Sequence, residues 1–236
     1  NEVEGVVVGK DLYSSDLVIC NTDIYYIYNK LLPKKYSLKQ QKNSERSSSA
    51  IIFYWGIDKV FDTLQLHNIL FTQSYKNEFK HIRGGISIYE DPTIYINITS
   101  KKKTSDAPKN SENWFVMINV PYNKDQDWDK LVMKSKKNII KKINRVLNIS
   151  IEDNIVCENV IDPRNIESET RSFKGALYGT SSNTKAAAFF RHPNFSKEIK
   201  GLYFCGGSVH PGGGIPLVLS SAKIVDELIK RDYEKK

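Results

Sequence analysis

The residues best placed to do chemistry form one stretch, Gly206-Gly207-Ser208-Val209-His210-Pro211-Gly212-Gly213-Gly214-Ile215-Pro216-Leu217. Five glycines fall within nine residues behind the apolar run Gly201-Leu202-Tyr203-Phe204-Cys205, and Pro216 stands where a helix would begin. Glycine lets the main chain approach a ligand without interference from a Cβ. Proline in the first turn of a helix forfeits no hydrogen bond and leaves its neighbours' free N–H groups pointing outward. Such a helix start favours a negative group or a partly negative carbonyl. The segment therefore reads as a cofactor cradle at the carboxyl end of a strand. For the glycines alone, an ordinary strand–turn–helix connection is an equal reading.

Other chemistries fail on spacing. Asp125-x-Asp127-x-Asp129 opens like a calcium loop, but Lys130 stands where a glycine is needed and Lys136 where a bidentate glutamate is needed. His67, His81, His192 and His210 have no metal-ligand spacing, and no serine or cysteine sits in a nucleophile elbow. GxGxxG and GxxxxGK[ST] are both absent. Cys20, Cys157 and Cys205 each stand alone in apolar runs, which predicts buried thiols in a reducing compartment. Sequons at Asn97, Asn148 and Asn194 are expected by chance in so asparagine-rich a chain.

The elements around the cradle interleave strands and helices, which predicts a mixed α/β or α+β architecture. Val6–Val8 and Leu17–Cys20 read as neighbouring strands, and the polar stretch from Pro33 to Ser49 as a loop or helix–loop insertion. Ala50–Ile57, Asn68–Thr72, Thr93–Ile98, Trp114–Val120 and Ile155–Ile161 are strand candidates, rich in β-branched or aromatic residues. Asp125–Leu147 predicts a helix with Trp128, Val132, Ile139, Ile143 and Val146 on one face and lysines on another. Ile166–Thr170 is helix-compatible, Gly175–Asn183 is loop-like and Ala186–Phe190 is an apolar patch; strand Gly201–Cys205 and a helix from Pro216 to Lys230 follow.

The Gly201–Leu217 segment, with Gly175-Ala176-Leu177-Tyr178-Gly179 and Arg191-His192-Pro193-Asn194, resembles the carboxyl-terminal region of the carotenoid desaturases of the phytoene dehydrogenase family. The hydroxycarotenoid 3,4-desaturase type carries a similar His-Pro-Gly-Gly-Gly-Ile-Pro signature. More weakly, Ser15–Asn21 resembles the family's strand leaving the FAD domain, and Asp91–Tyr95 and Trp114–Val116 its substrate-domain strands. The resemblance implies the C-terminal part of a two-domain FAD-dependent oxidoreductase. Residues 1–23 would be FAD-domain strands, 24–174 a substrate-binding domain with a mixed sheet, 175–200 a segment near substrate and flavin, and 201–236 the final strand, turn and helix of a Rossmann-like FAD domain. A start upstream of Asn1, bearing the glycine fingerprint, is expected with it.

Carried over by position, Gly206, Gly207 and Ser208 would lie by the FAD pyrophosphate and ribityl chain. His210, Pro211, Gly212, Gly213 and Gly214 would wrap the turn against the flavin, and Ile215, Pro216 and Leu217 would aim a helix start at the pyrimidine edge of the isoalloxazine. Related amine oxidases often place an acidic residue near position 207 for the ribityl hydroxyls; here there is none. The implied reaction is desaturation of a carotenoid, by hydride transfer to flavin N5 with loss of a proton from the adjacent carbon. A carotenoid isomerase or retinol-saturase-like enzyme would use the same scaffold. His210 is a candidate proton acceptor or a residue that shapes the turn. Tyr178, Phe189 and Phe190, with Tyr54, Trp55 and Phe71, are candidate walls for the polyene, although core packing is the commoner use of any one aromatic. Quinone or oxygen would accept the electrons.

Charge narrows the partners further. The chain has 236 residues and a formal net charge of +8, but its cations are 28 Lys and only seven Arg. Arginine reads bases and grips phosphates bidentately, so this balance argues against a nucleic-acid reader. Lysine clusters at 34–42, 101–103 and 134–142 read as solvated faces. Their sharper reading is attraction to an anionic membrane surface, with a cytoplasmic enzyme resting peripherally on the membrane.

Overall fold

The computed structural model describes residues 1–37, 45–181 and 191–234. They form two compact units, Asn1–Ser47 with Glu167–Lys236, and Ser48–Ile166. Residues 24–37, 45–47 and 167–174 fall in the first of these units.

The second unit is built on an antiparallel sheet in the order β5 (His67–Leu70), β6 (Ile94–Asn97), β7 (Glu112–Val120), β4 (Ser49–Ile57), β8 (Ile155–Ile161). Side chains alternate across a strand, and Ile51, Phe53, Trp55 and Ile57 of β4 face the core beside Trp114, Val116, Ile118 and Val120 of β7. Helix α3 (Trp128–Leu147) contributes Trp128, Ile139 and Ile143 to the same core. Burial of each such side chain contributes about 1.5–3 kcal/mol. Asp127 caps α3 by accepting Lys130 N–H at 3.2 Å, and Asn148 ends it in the left-handed conformation at φ 54°. Val146 corrects the expected buried face: it is half exposed, because Leu147, four residues after Ile143, takes the core-facing position in the last turn.

Trp55 is buried in the core, on the opposite face of β4 from Tyr54, and Phe71 is mostly exposed just beyond β5. Two further expectations are corrected here. Cys157 is exposed, because it lies on edge strand β8. Lys101 is not a solvated loop residue: its ammonium sits 2.6 Å from the buried Glu112 carboxylate. Helix α2 (Tyr75–Gly84) has no counterpart among the expected elements.

In the first unit, Val6–Val8 do not neighbour Leu17–Cys20. Gly9, at φ +66°, and Lys10 turn the chain at once, so β1 (Gly5–Val8) pairs with β2 (Asp11–Ser14) as a hairpin. Strand β3 (Val18–Cys20) instead lies parallel to β9 (Leu202–Phe204), in the register Val18↔Leu202. Helix α1 (Ile24–Tyr26) follows β3 and helix α5 (Ile215–Tyr233) follows β9. Ile24, Ile27, Tyr28, Leu202, Phe204 and Val209 form the core between them. Helix α4 (Pro163–Thr170) runs across the division of the units.

Candidate functional site

The carboxyl ends of parallel strands β3 and β9 open side by side, which in an α/β sheet is where ligands bind. Asn21, Thr22 and Asp23 leave the first strand; Gly206, Gly207 and Ser208 leave the second. Asn21, Thr22, Asp23, Gly207 and Ser208, with Thr170 and Ser172, line a small polar cleft. Cys205 N–H donates 3.1 Å to Cys20 O, extending the pairing past the strand ends.

The glycines divide into two kinds. A Cβ on Gly206 would lie 2.6 Å from Asn21 Oδ1, one on Gly212 3.0 Å from Arg191 Nε, and one on Gly213 2.5 Å from the Tyr178 ring. The contact with Tyr178 requires glycine at 213, while at Gly206 and Gly212 the requirement comes chiefly from φ values of +111° and +134°. At Gly207 the nearest atom to a Cβ would be 3.4 Å away, and at Gly214, with φ +98°, nothing lies within 4 Å. The open side of the turn is therefore at Gly207 and Gly214. Gly214 precedes α5, whose first turn has no side-chain cap and holds a proline. The first hydrogen bond of that turn is Val218 N–H to Gly214 O at 2.9 Å, which leaves the Ile215 and Leu217 N–H groups directed outward. Ile215, Pro216 and Leu217 are all exposed.

Buried polar contacts hold this turn. Asn194 Nδ2 donates to Phe204 O at 3.1 Å, His210 O at 2.8 Å and Ser221 Oγ at 3.0 Å. Ser221 Oγ also accepts Gly206 N–H at 3.1 Å. The Arg191 guanidinium donates to the carbonyls of Tyr178, Thr180 and Gly207. Burial of His192 holds its imidazole below the usual histidine range and so neutral. Its Nδ1 lies 2.8 Å from Pro193 O, which makes Nδ1 the protonated nitrogen.

The expected site residues take distinct roles. Ser208 Oγ accepts Ile24 N–H at 3.0 Å, so the hydroxyl bridges the turn to α1 and keeps its own proton to donate. His210 is engaged through its backbone, with N–H donating 2.9 Å to His192 O; among the described residues its exposed imidazole makes no hydrogen bond. Tyr178 is half exposed and packs on Gly213. Phe189, Phe190 and the patch from Ala186 lie outside the described residues.

Asp23 is a site residue that residue types alone did not single out. It caps α1 by accepting Tyr25 N–H at 2.8 Å, and its second oxygen lies 3.7 Å from Arg46 Nη1. Burial pushes its carboxyl above the usual carboxylate range, against the opposing pull of the Arg46 guanidinium. Arg46 is itself buried over Phe173, which stacks on Tyr25 with ring centroids 3.5 Å apart. Asn194 appeared as a sequon and within the Arg191–Asn194 motif of the resemblance, with no role assigned, and Ser221 carried no signal at all.

No family model matches the chain. The 1-hydroxycarotenoid 3,4-desaturase of Flavobacterium sp. (strain P99-3) is 56% identical over 229 residues, which cover 97% of this chain and 47% of that protein. The 4,4'-diapophytoene desaturase (4,4'-diaponeurosporene-forming) of Staphylococcus haemolyticus (strain JCSC1435) is 32% identical over 98% of this chain and 48% of its own length. The phytoene desaturase of Fusarium fujikuroi is 29% identical over 98% and 44%. Among solved structures, an oxidoreductase from Methanosarcina mazei superposes with a TM-score of 0.58 at 13% identity, over 96% of this chain and 46% of that one, which shows a shared fold. The chain spans about half the length of the curated relatives it matches, and by descent it belongs to the family of the carotenoid desaturases.

Proposed function

We propose that this chain carries the flavin-end and substrate-sheet portions of an FAD-dependent carotenoid desaturase. The observation that carries the reading is the uncapped start of α5 beside the carboxyl ends of β3 and β9, with open space at Gly207 and Gly214. These residues fit the ribityl and pyrimidine end of FAD: the small residues would admit it, and the outward N–H groups would be available to its carbonyl edge. When bound, FAD supplies the two-electron acceptor that removes hydride from a CH–CH bond, the second hydrogen leaving as a proton and the bond becoming C=C. The Ile215 and Leu217 N–H groups would stabilise negative charge at that edge by about 0.3–2 kcal/mol. Ser208 Oγ would donate its free proton to a ribityl hydroxyl. The 56% identity to a hydroxycarotenoid desaturase supports a carotenoid as substrate. Quinone or oxygen would take up the electrons, and the lysine-rich surface would rest on an anionic membrane. No helix among the described residues is long and apolar enough to cross a bilayer.

The test is expression of the full-length protein in a host that accumulates carotenoids. The expected result is a yellow, flavin-bearing protein and products two mass units lighter with one added double bond. Products of unchanged formula would replace the reading with an isomerase, and a colourless protein that retains no FAD would end it.

A further inference from the structure

The half-open face of the antiparallel sheet carries a pocket of about 590 Å³ at the end of β4 marked by Gly56. Strand register builds it in rows. Asn97, Phe115, Tyr54 and Asn159 stand side by side across β6, β7, β4 and β8. The next row is Asn113, Gly56 and Cys157. With no side chain at Gly56, the middle of that row is a hollow, and a Cβ there would lie 2.5 Å from Cys157 Sγ. The Tyr54 and Phe115 rings meet edge to face, with centroids 5.5 Å apart, and form an aromatic wall. Its volume falls within the range of small-molecule sites, roughly 300–1,000 Å³.

The electrostatics of the lining select an uncharged ligand. No lysine or arginine lines the pocket. Its three carboxylates are engaged: Glu158 accepts from Trp55 Nε1 at 2.6 Å and pairs with Lys136 at 2.8 Å, Asp106 accepts from Thr99 and pairs with Lys103, and Glu112 pairs with Lys101. Asn97 donates to Leu66 O, and the Asn113 amide donates to Thr99 and accepts from Ser100. Two polar groups keep spare capacity. The Tyr54 hydroxyl and the Asn159 amide N–H groups make no hydrogen bond among the described residues, and antiparallel partners of this kind hold their Cβ atoms about 4.5–5.5 Å apart. An aromatic wall with one adjacent pair of unspent polar groups suits a hydrocarbon that ends in a hydroxyl.

We propose that this pocket receives the hydroxylated end of a long uncharged isoprenoid, with Tyr54 and Asn159 hydrogen-bonding its hydroxyl. The assignment rests on the reading above that the substrate is a carotenoid. It makes Tyr54 and Asn159 specificity-determining residues.

Cys157 is exposed at the pocket, so it reports on occupancy without any turnover. In the full-length protein, N-ethylmaleimide alkylation is followed at each cysteine, with geranyllinalool, an isoprenoid alcohol, and the hydrocarbon of the same skeleton as probes. The alcohol is expected to slow alkylation of Cys157 at least roughly fivefold more than the hydrocarbon, as one added hydrogen bond allows, and to leave Cys20 and Cys205 unaffected. Tyr54→Phe and Asn159→Leu, two independent changes at an exposed surface, are each expected to reduce the alcohol to the protection given by the hydrocarbon. Equal protection by both probes, or none, would overturn the proposal. Product analysis of the same preparation separates the two readings: desaturation without discrimination at Cys157 removes the pocket assignment alone, and discrimination without desaturation removes the proposed reaction alone.

Discussion

Asn194 and Ser221 are joined by a 3.0 Å hydrogen bond, and Ser221 in turn accepts the Gly206 N–H, so one buried amide ties the start of the glycine turn to helix α5. Replacing Asn194 with Ala leaves Phe204 O and His210 O without their amide donor. A loss of about 3 kcal/mol is expected, and about 1–2 kcal/mol for Ser221→Ala. Urea titration of both single variants and the double variant measures their coupling; strict additivity would show that the two side chains act separately.

The two kinds of glycine predict opposite outcomes. Gly213→Ala drives a methyl group into Tyr178, and a loss of about 1–3 kcal/mol is expected. Gly207→Ala meets no such contact and should leave the melting temperature nearly unchanged while weakening flavin retention. Thermal melts paired with flavin release on dilution read the two effects independently. A Gly207→Ala protein that keeps its flavin as tightly as before would place the ligand elsewhere.

Lys101, Lys102 and Lys103 are adjacent in sequence and unequal in role. Lys101 Nζ lies 2.6 Å from Glu112 and donates to Phe61 O, while Glu112 also accepts from Phe61 N–H and Trp114 Nε1. Lys101→Ala leaves a buried carboxylate uncompensated, at an expected cost of about 3 kcal/mol. Lys103, paired at the surface with Asp106, should cost less than about 0.5 kcal/mol on the same change. Chemical denaturation of the two variants side by side checks the contrast.

Asp23 sets a pH dependence whose sign follows from its burial. Its folded-state carboxyl titrates above the unfolded one, so the folded state holds the extra proton between those two values. Stability from this group is therefore full below the ordinary carboxylate range and declines as pH rises through the raised value. Asp23→Asn should flatten that slope over the interval from the ordinary carboxylate range up to the raised value. Denaturant midpoints across this interval measure it, and an unchanged slope would show that other groups cause it.

The sheet of the second unit was legible because its strands are runs of β-branched and aromatic residues bounded by polar ones: Ala50–Ile57 and Trp114–Val120 lie within β4 and β7. Helix α2 was not, because Tyr75, Phe79 and Ile82 are too few among polar residues to set a period. Strand β2, Asp11–Ser14, is exposed along its length and has no buried face to alternate. The glycine turn was legible as a turn, but not the division of its glycines, since Asn21, Tyr178 and Arg191 reach it from distant parts of the chain. Asn194 and Ser221 are polar residues made structural by burial, which local sequence does not encode.

The parallel pairing of β3 with β9 bears on the order in which the molecule is made. Ile24 and Ser208, joined by a hydrogen bond at the ends of these strands, are 184 residues apart in sequence. Ser48–Ile166 form a contiguous unit and emerge from the ribosome with every one of their strand partners. Among the described residues, strand β3, made earlier, pairs with Leu202–Phe204, which are synthesised only after that unit. The strand that pairs with β3 is followed directly by the glycine turn, so the two chain segments that flank the cradle meet only after the contiguous unit has been made.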